Sequence, residues 1–272
     1  MNKLQSLEFD MLKEFVRICD ELGLKYYLVC GSALGAAKYG GFIPWDDDID
    51  VALPRPDYDV FCQKAQAMLP EHLFLQNHRT DPEYPLIFSK LRNSDTTFIE
   101  KSYSNLKINH GIYIDVFPLD GYPSSELEIK ELEKEKRRYE LSRLCCLNIN
   151  HTWKTRLLVA VERLFRMHKK TAKFVKRLED CISDHSVNDS EIWCNHGNWQ
   201  GKLEYATREQ YGEGVFVDFE GLKVRIPECY DEYLTQKYGD WRADLPEEEK
   251  QGHHYHTMCD TERSYRNYVS KR

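Results

Sequence analysis

The sequence predicts an α+β fold, a mixed sheet flanked by helices, and three observations lead to it. Amphipathic helical stretches alternate with short segments whose apolar residues recur every second position, so helix and sheet share one core. The stretch 26–53, YYLVCGSALGAAKYGGFIPWDDDIDVAL, sets small-residue turns and a run of acids between two apolar strand segments. Beyond it, 124–147 is a strongly charged helix and 215–238 reads as a hairpin followed by a helix. The expected organisation is therefore a catalytic core over 1–123, a charged helical insertion over 124–190, and a C-terminal segment, 191–272, that packs on the core.

A chain of 272 residues buries a substantial core, and its 41% hydrophobic and 31% charged residues suit a soluble globular protein. The net charge of −7 argues against general nucleic-acid binding, which draws on excess Lys and Arg to displace phosphate counterions. Nine cysteines form no evident framework, and MNKLQSLEFDMLKEF carries acids where a signal peptide needs an apolar run. A reduced, cytoplasmic protein is expected. No run approaches the roughly 18 apolar residues of a spanning helix.

Leu4, Leu7, Met11, Leu12, Phe15, Ile18, Cys19 and Leu22 recur at three and four, so an amphipathic helix runs to Gly23. Residues 26–30 read as a strand, Gly31 and Ser32 as a tight turn, and ALGAAKY as a short helix. Free N–H groups at such a helix start, with the Ser32 hydroxyl, suit a phosphate. Gly40 and Gly41 break the helix before Trp45 and the acids Asp46, Asp47 and Asp48.

Strand side chains alternate, so Asp48 and Asp50 project together while Ile49 and Val51 point into apolar packing. Two carboxylates about 7 Å apart on one face can converge on Mg²⁺ or Mn²⁺, and Asp46 shares their parity from the loop. A calcium loop does not fit, because Val51 stands where that loop needs Gly and Pro54 and Pro56 oppose its helical exit. A second amphipathic helix is predicted from Tyr58 to Leu69, then a strand over 72–76. Residues 86–92 form another strand that places Lys90 and Arg92 on one face, suited to a diphosphate. Thr96 to Glu100 is expected to pair back on it as a hairpin. In HGIYIDVFPLDGYP, Asp115 is an acid within an apolar strand and needs a cation or donors, so it is the third candidate carboxylate. Asp120 is expected in a turn.

SSELEIKELEKEKRRYELSRLCCL reads as a capped, charged helix, with one or two more over 153–183. Residues 154–177 hold nine basic residues against Glu162, a pattern suited to peripheral contact with an anionic membrane. Near the C-terminus His253, His254, His256 and Cys259 crowd together, with Cys194 and His196 upstream. They lack the paired C-x-x-C spacing of zinc sites, so His253 and His254 are expected at the mouth of the site instead.

The Gly-Ser turn, D-x-D strand and later strand acid are together similar to the nucleotidyltransferase-like fold. GSALGAAKYGGFIPWDDDIDVALPRPDY, KLRNSDTTFIE, HGIYIDVFPLD and FEGLKVRIPECYDEYLTQKYGDW resemble, in order, segments of the LicD family of choline-phosphate transferases. The resemblance implies transfer of a phospho-alcohol, typically phosphocholine from CDP-choline, to a sugar hydroxyl of a cell-surface glycan or lipid-linked glycan precursor. It implies Asp48, Asp50 and Asp115 as metal ligands and catalytic carboxylates, Gly31 and Ser32 as phosphate holders, and Lys90 and Arg92 as diphosphate neutralisers. Lys38 is a further candidate for binding phosphate; the family commonly has Arg-His where this chain has Lys38 and Tyr39, a departure that bears on this contact and on donor preference. CDP-ribitol and CDP-glycerol are alternative donors, and a nucleotide-sugar glycosyltransferase is a rival reading of the D-x-D site. A choline would need an aromatic cage, for which Trp45, Tyr39, Trp193 and Trp199 are available.

Overall fold

In the computed structural model, residues 1–148, 159–160, 164, 171–197, 204–252 and 254–269 are described. Helix α1 (Lys3–Leu22) opens with a capping box between Asn2 and Gln5 and ends where Gly23 takes φ 65°. Its apolar stripe behaves as predicted, with Met11, Leu12, Phe15, Ile18 and Cys19 buried. The same stripe also buries Gln5 and Glu8, which apolar periodicity does not flag.

The central sheet is mixed, in the order β1 (Tyr27–Leu28), β2 (Asp50–Pro54), β6 (Ile112–Gly121), β4 (Ser89–Asn93), β3 (Leu73–Gln76). Only β2 and β6 run parallel, and the other pairs in this path are antiparallel. Val51, Ala52, Leu53, Ile112, Ile114 and Val116 are all within one core. Between β1 and β2 lies α2 (Cys30–Tyr39), and after β2 comes α3 (Arg55–Lys64). Strand β7 (Ile192–Cys194) pairs with the far end of β6, and β8 (Tyr205–Thr207) pairs with β7.

Three local predictions change. Strand β5 (Thr97–Glu100) does not fold back on β4; it pairs with β11 (His256–Asp260), because β4 is already flanked by β3 and β6. Asp120 is not a turn residue: Pro118 sits inside β6, which continues to Gly121, and Asp120 is fully buried against Arg55. Helix α2 starts at Cys30, so Gly31 and Ser32 belong to its first turn.

The charged helix is α4 (Glu126–Cys146), capped by Ser125 and Glu128 as the sequence predicts. Leu132 and Tyr139 pack it onto Val175, Leu178 and Ile182 of α5 (Thr171–Ser183). Of the basic stretch 154–177, residues 154–158, 161–163 and 165–170 lie outside the described residues. Four-residue α6 (Arg208–Tyr211) leads to the hairpin of β9 (Val215–Phe219) and β10 (Leu222–Ile226), which turns on Glu220 at φ 53° and Gly221 at φ 85°. Two successive left-handed residues match the right-handed twist of the strands. Helix α7 (Tyr230–Tyr238) follows and packs on α2, and α8 (Arg266–Val269) closes the described chain. Among the described residues no helix is long and apolar enough to cross a membrane.

Candidate active site

Asp48 lies in the loop before β2 and not in the strand that parity assumes, yet its carboxylate still meets that of Asp50, and sheet register supplies the third acid. Asp50 of β2 stands opposite Asp115 of β6 in the parallel ladder. Carboxylate oxygens of Asp48, Asp50 and Asp115 lie within 4.8 Å of one another. Burial, reinforced by Asp48 and Asp115, pushes the Asp50 carboxyl well above its ordinary range. Burial also raises Asp115, against the pull of Lys90, whose Nζ lies 2.9 Å from Asp115 Oδ1. Asp46 is pushed up to about 8 by burial and by Asp48 and Asp47. Close like charges out of water favour protons or a cation, and an all-oxygen donor set suits a hard divalent ion.

These acids sit in the wall of a cavity of about 850 Å³. Of the predicted site residues, the fold brings Gly31, Lys38, Trp45, Asp46, Asp48, Asp50, Lys90, Asp115 and His254 to this cavity. Gly31 fits because a Cβ there would lie 3.0 Å from Asp46 Oδ2. The first turn of α2 has no side-chain cap, and its Cys30 and Gly31 line this cavity. Cys30, at φ 52°, makes the sharp bend from strand to helix, and its N–H donates to Tyr233 Oη at 3.2 Å.

Ser32 and Arg92 are not brought to the cavity. Ser32 is buried within the first turn of α2, where its Oγ accepts the Asp50 N–H at 2.8 Å and ties the helix start to the acidic strand. Arg92 is fully buried, donating to Gly111 O at 2.7 Å and to Glu100 at 2.8 Å. Sharing a strand face with Lys90 therefore did not give it the same access: Lys90 points to the acids and Arg92 into the structure behind them. Trp193 is buried beside Tyr211 and takes no part in the cavity. Trp199 and His253 lie outside the described residues.

His254 donates its N–H to Asp47 and stands with Nδ1 3.0 Å from Asp47 Oδ1 and Nε2 3.6 Å from Asp48 Oδ2. Burial works against its charge, but Asp48 and Asp47 outweigh burial and hold its pKa at about 10. Among the described residues the metal-capable groups are Asp47–Asp48–His254 and the Asp48–Asp50–Asp115 triad.

Residues 23–146 match the family described as LicD/FKTN/FKRP, nucleotidyltransferase domain. The match spans 124 of the chain's 272 residues. A lipopolysaccharide cholinephosphotransferase LicD from Haemophilus influenzae is 26% identical over 266 residues, covering 93% of this chain and 96% of that protein. A ribitol 5-phosphate transferase FKRP from Mus musculus is 26% identical over 123 residues, 45% of this chain and 22% of the relative. The human FKRP is 43% identical over 42 residues, 15% of this chain and 8% of that protein.

The triad, Lys90 and the first turn of α2 all lie inside the matched residues 23–146, while His254 reaches the cavity from the C-terminal segment. Several residues around the site were not singled out by sequence. Gln5 Nε2 donates to Asp46 O at 3.1 Å, and Glu8 lies buried near Asp46, Asp47 and Asp48, so α1 holds the acidic loop from beneath. Glu100 accepts from Lys90 and Arg92; burial would raise it, yet these cations hold it at about 2. Lys136, Tyr139, Glu140 and Arg143 of α4 form another wall. Their spacing of three, four and seven puts them on one face of the helix, though nothing in the spacing says that this face turns inward.

Proposed function

We propose that the chain transfers a phospho-alcohol, phosphocholine foremost, from a CDP-linked donor to a hydroxyl of a cell-surface glycan precursor, releasing CMP. The convergence of Asp48, Asp50 and Asp115 in one large cavity carries this reading. Near end-to-end similarity to a lipopolysaccharide cholinephosphotransferase supports phosphocholine as cargo. The FKRP similarity favours CDP-ribitol as the second donor, with CDP-glycerol of the same chemical kind.

Asp48, Asp50 and Asp115 would hold Mg²⁺ or Mn²⁺, a fit supported by their oxygen-only donor set and by the repulsion that raises Asp50. When bound, the ion would supply Lewis-acid polarisation of the donor's phosphate oxygens. The acceptor hydroxyl oxygen attacks the phosphorus distal to cytidine, the bond from that phosphorus to the CMP oxygen breaks, and the hydroxyl proton passes to Asp115. Lys90, 2.9 Å from Asp115 Oδ1, holds that carboxylate in place. Positioning and fixed charge supply most of the rate gain in such transfers.

Tyr39 and Trp45, with ring centroids 6.3 Å apart in a T-shaped pair lining the cavity, would receive a quaternary ammonium in place of Lys38 and Lys250, whose Nζ atoms now lie 5.5 Å and 5.4 Å from these rings. Peripheral membrane contact through 154–177 is supported by the basic composition alone. Sedimentation with anionic vesicles at low salt tests it, and absence of binding removes it. The reaction is tested by incubating the protein with CDP-choline, CDP-ribitol or CDP-glycerol, Mg²⁺ and candidate glycans while following CMP. Failure to release CMP with any donor, or transfer of a sugar without its phosphate, would overturn this function.

A further inference from the structure

We propose that Lys136 and Arg143, on the inward stripe of α4, form an anion seat for the diphosphate of the nucleotide donor, an inference that rests on the CDP-linked donor of the proposed function. The cavity is rich in carboxylates: Asp46, Asp48, Asp50, Glu100, Asp115, Glu140 and Asp240 all line it. A diphosphate entering such a wall needs cations that are not already neutralised.

The lining cations divide into two groups. Lys90 lies 2.9 Å from Asp115 and 3.3 Å from Glu100, so its charge is taken up locally. Lys38 donates to Ala243 O at 2.7 Å and stands 3.3 Å from Asp244. His254 is held between Asp47 and Asp48. By contrast, Lys136 and Arg143 make no ion pair with a carboxylate among the described residues.

Their contacts leave them as donors with charge to spare. Lys136 Nζ lies 3.4 Å from Nδ1 of His196, a ring that burial and Lys136 itself hold neutral by lowering its pKa to about 3. Arg143 Nη1 donates weakly to Tyr103 Oη at 3.4 Å, and its guanidinium lies 6.0 Å from the Tyr139 ring centroid. Tyr103, which Arg143 touches, lines the same cavity as Glu100 and Asp115. Both cations are half-buried, seven residues apart on one helix, and so address the same cavity from one side. Half-burial strengthens a charge-assisted contact with phosphate while leaving the group reachable.

Calorimetric titration of CDP and of cytidine, with Mg²⁺ present, into the full chain and into Lys136→Met, Arg143→Met and the double variant tests the seat. The double variant is expected to bind CDP ~10- to 100-fold more weakly, with cytidine binding unchanged. Arg143→Lys keeps the charge and is expected to retain most of the affinity. Wild-type affinity for CDP in a double variant that melts like the parent overturns the seat. Should the double variant not fold, unchanged CDP affinity in both single variants overturns it, and a selective loss of CDP over cytidine in either supports it. If the wild-type chain binds neither CDP nor cytidine, the donor reading fails and inorganic pyrophosphate decides the seat. Weaker pyrophosphate binding in the variants then supports the anion seat; equal or absent binding overturns it.

Discussion

Asp50 and Asp115 face each other across the one parallel pair of the central sheet, in register, and Asp48 joins them from the loop before β2. The pairing of two strands far apart in sequence is what turns an acidic motif into a triad.

Replacing Asp50 with Asn is expected to reduce CMP release from the preferred donor by about 100-fold or more, as for loss of a group acting on transition-state charge. Because Asp48 and Asp115 repel a charged Asp50, the metal-free variant is expected to melt at or above the parent temperature. Parallel activity assays and thermal melts in chelator check both. A variant that keeps full activity removes Asp50 from the chemistry.

Trp45→Ala is expected to lower kcat/KM for CDP-choline by about 10-fold, since a desolvated cation–π contact contributes ~1–2 kcal/mol. CDP-glycerol, which carries no cation, should change much less. Equal losses for both donors would mean that Trp45 shapes the cavity without recognising the ammonium.

Arg55 and Asp120 form a buried, two-bond ion pair, with Nε to Oδ1 at 2.6 Å and Nη2 to Oδ2 at 2.8 Å. Asp120→Asn is expected to destabilise the fold by ~3–5 kcal/mol, because Arg55 would keep its charge in a buried place. Urea unfolding measures this. Arg55→Met with Asp120→Leu, which removes both charges, should be much milder.

The neutral, buried His196 predicts an acid dependence. Its folded pKa of about 3, set by burial and Lys136, lies below the unfolded value near 6.5, so the unfolded chain binds the proton first. Stability is therefore full above pH 6.5 and falls as pH drops toward 3, by about 2 kcal/mol from this group at pH 5. Denaturant unfolding of the parent and of His196→Gln at pH 7 and pH 5 tests it. The variant should show a smaller loss, and an identical loss assigns the dependence elsewhere.

Gly35→Ala would place a Cβ 2.5 Å from Gly41 O, a backbone atom that cannot rotate away. The variant is expected to lose ~2–3 kcal/mol of stability and much of its activity, since the Gly40–Gly41 bend feeds the acidic loop. Melting temperature and CMP release read the two effects. A parent-like melt would show that α2 and the loop can separate freely.

Local chemistry made much of this protein legible in its sequence. The three- and four-residue spacing of α1, the Ser125 cap of α4, the Glu220–Gly221 turn and the closeness of Asp48 to Asp50 depend on neighbours a few residues apart, so the chain states them directly. Asp115 was also legible, as an acid too costly to bury alone. Which strands pair was not. Period two says which side chains share a face and is silent on the neighbouring strand, so β5 was expected beside β4 when it pairs with β11 from the chain's far end.

The same limit applied to the cations. Lys90 and Arg92 are equivalent by parity, yet only packing decided that one faces the acids and the other is enclosed by Gly111 and Glu100. Charge on a helix reads as solvent exposure until a partner surface is known, and so Lys136 and Arg143 emerged only when α4 was seen to wall the cavity. Sequence by itself determined the helices, turns and acids. Tertiary structure decided their companions, because burial and long-range strand register are properties of the whole folded chain.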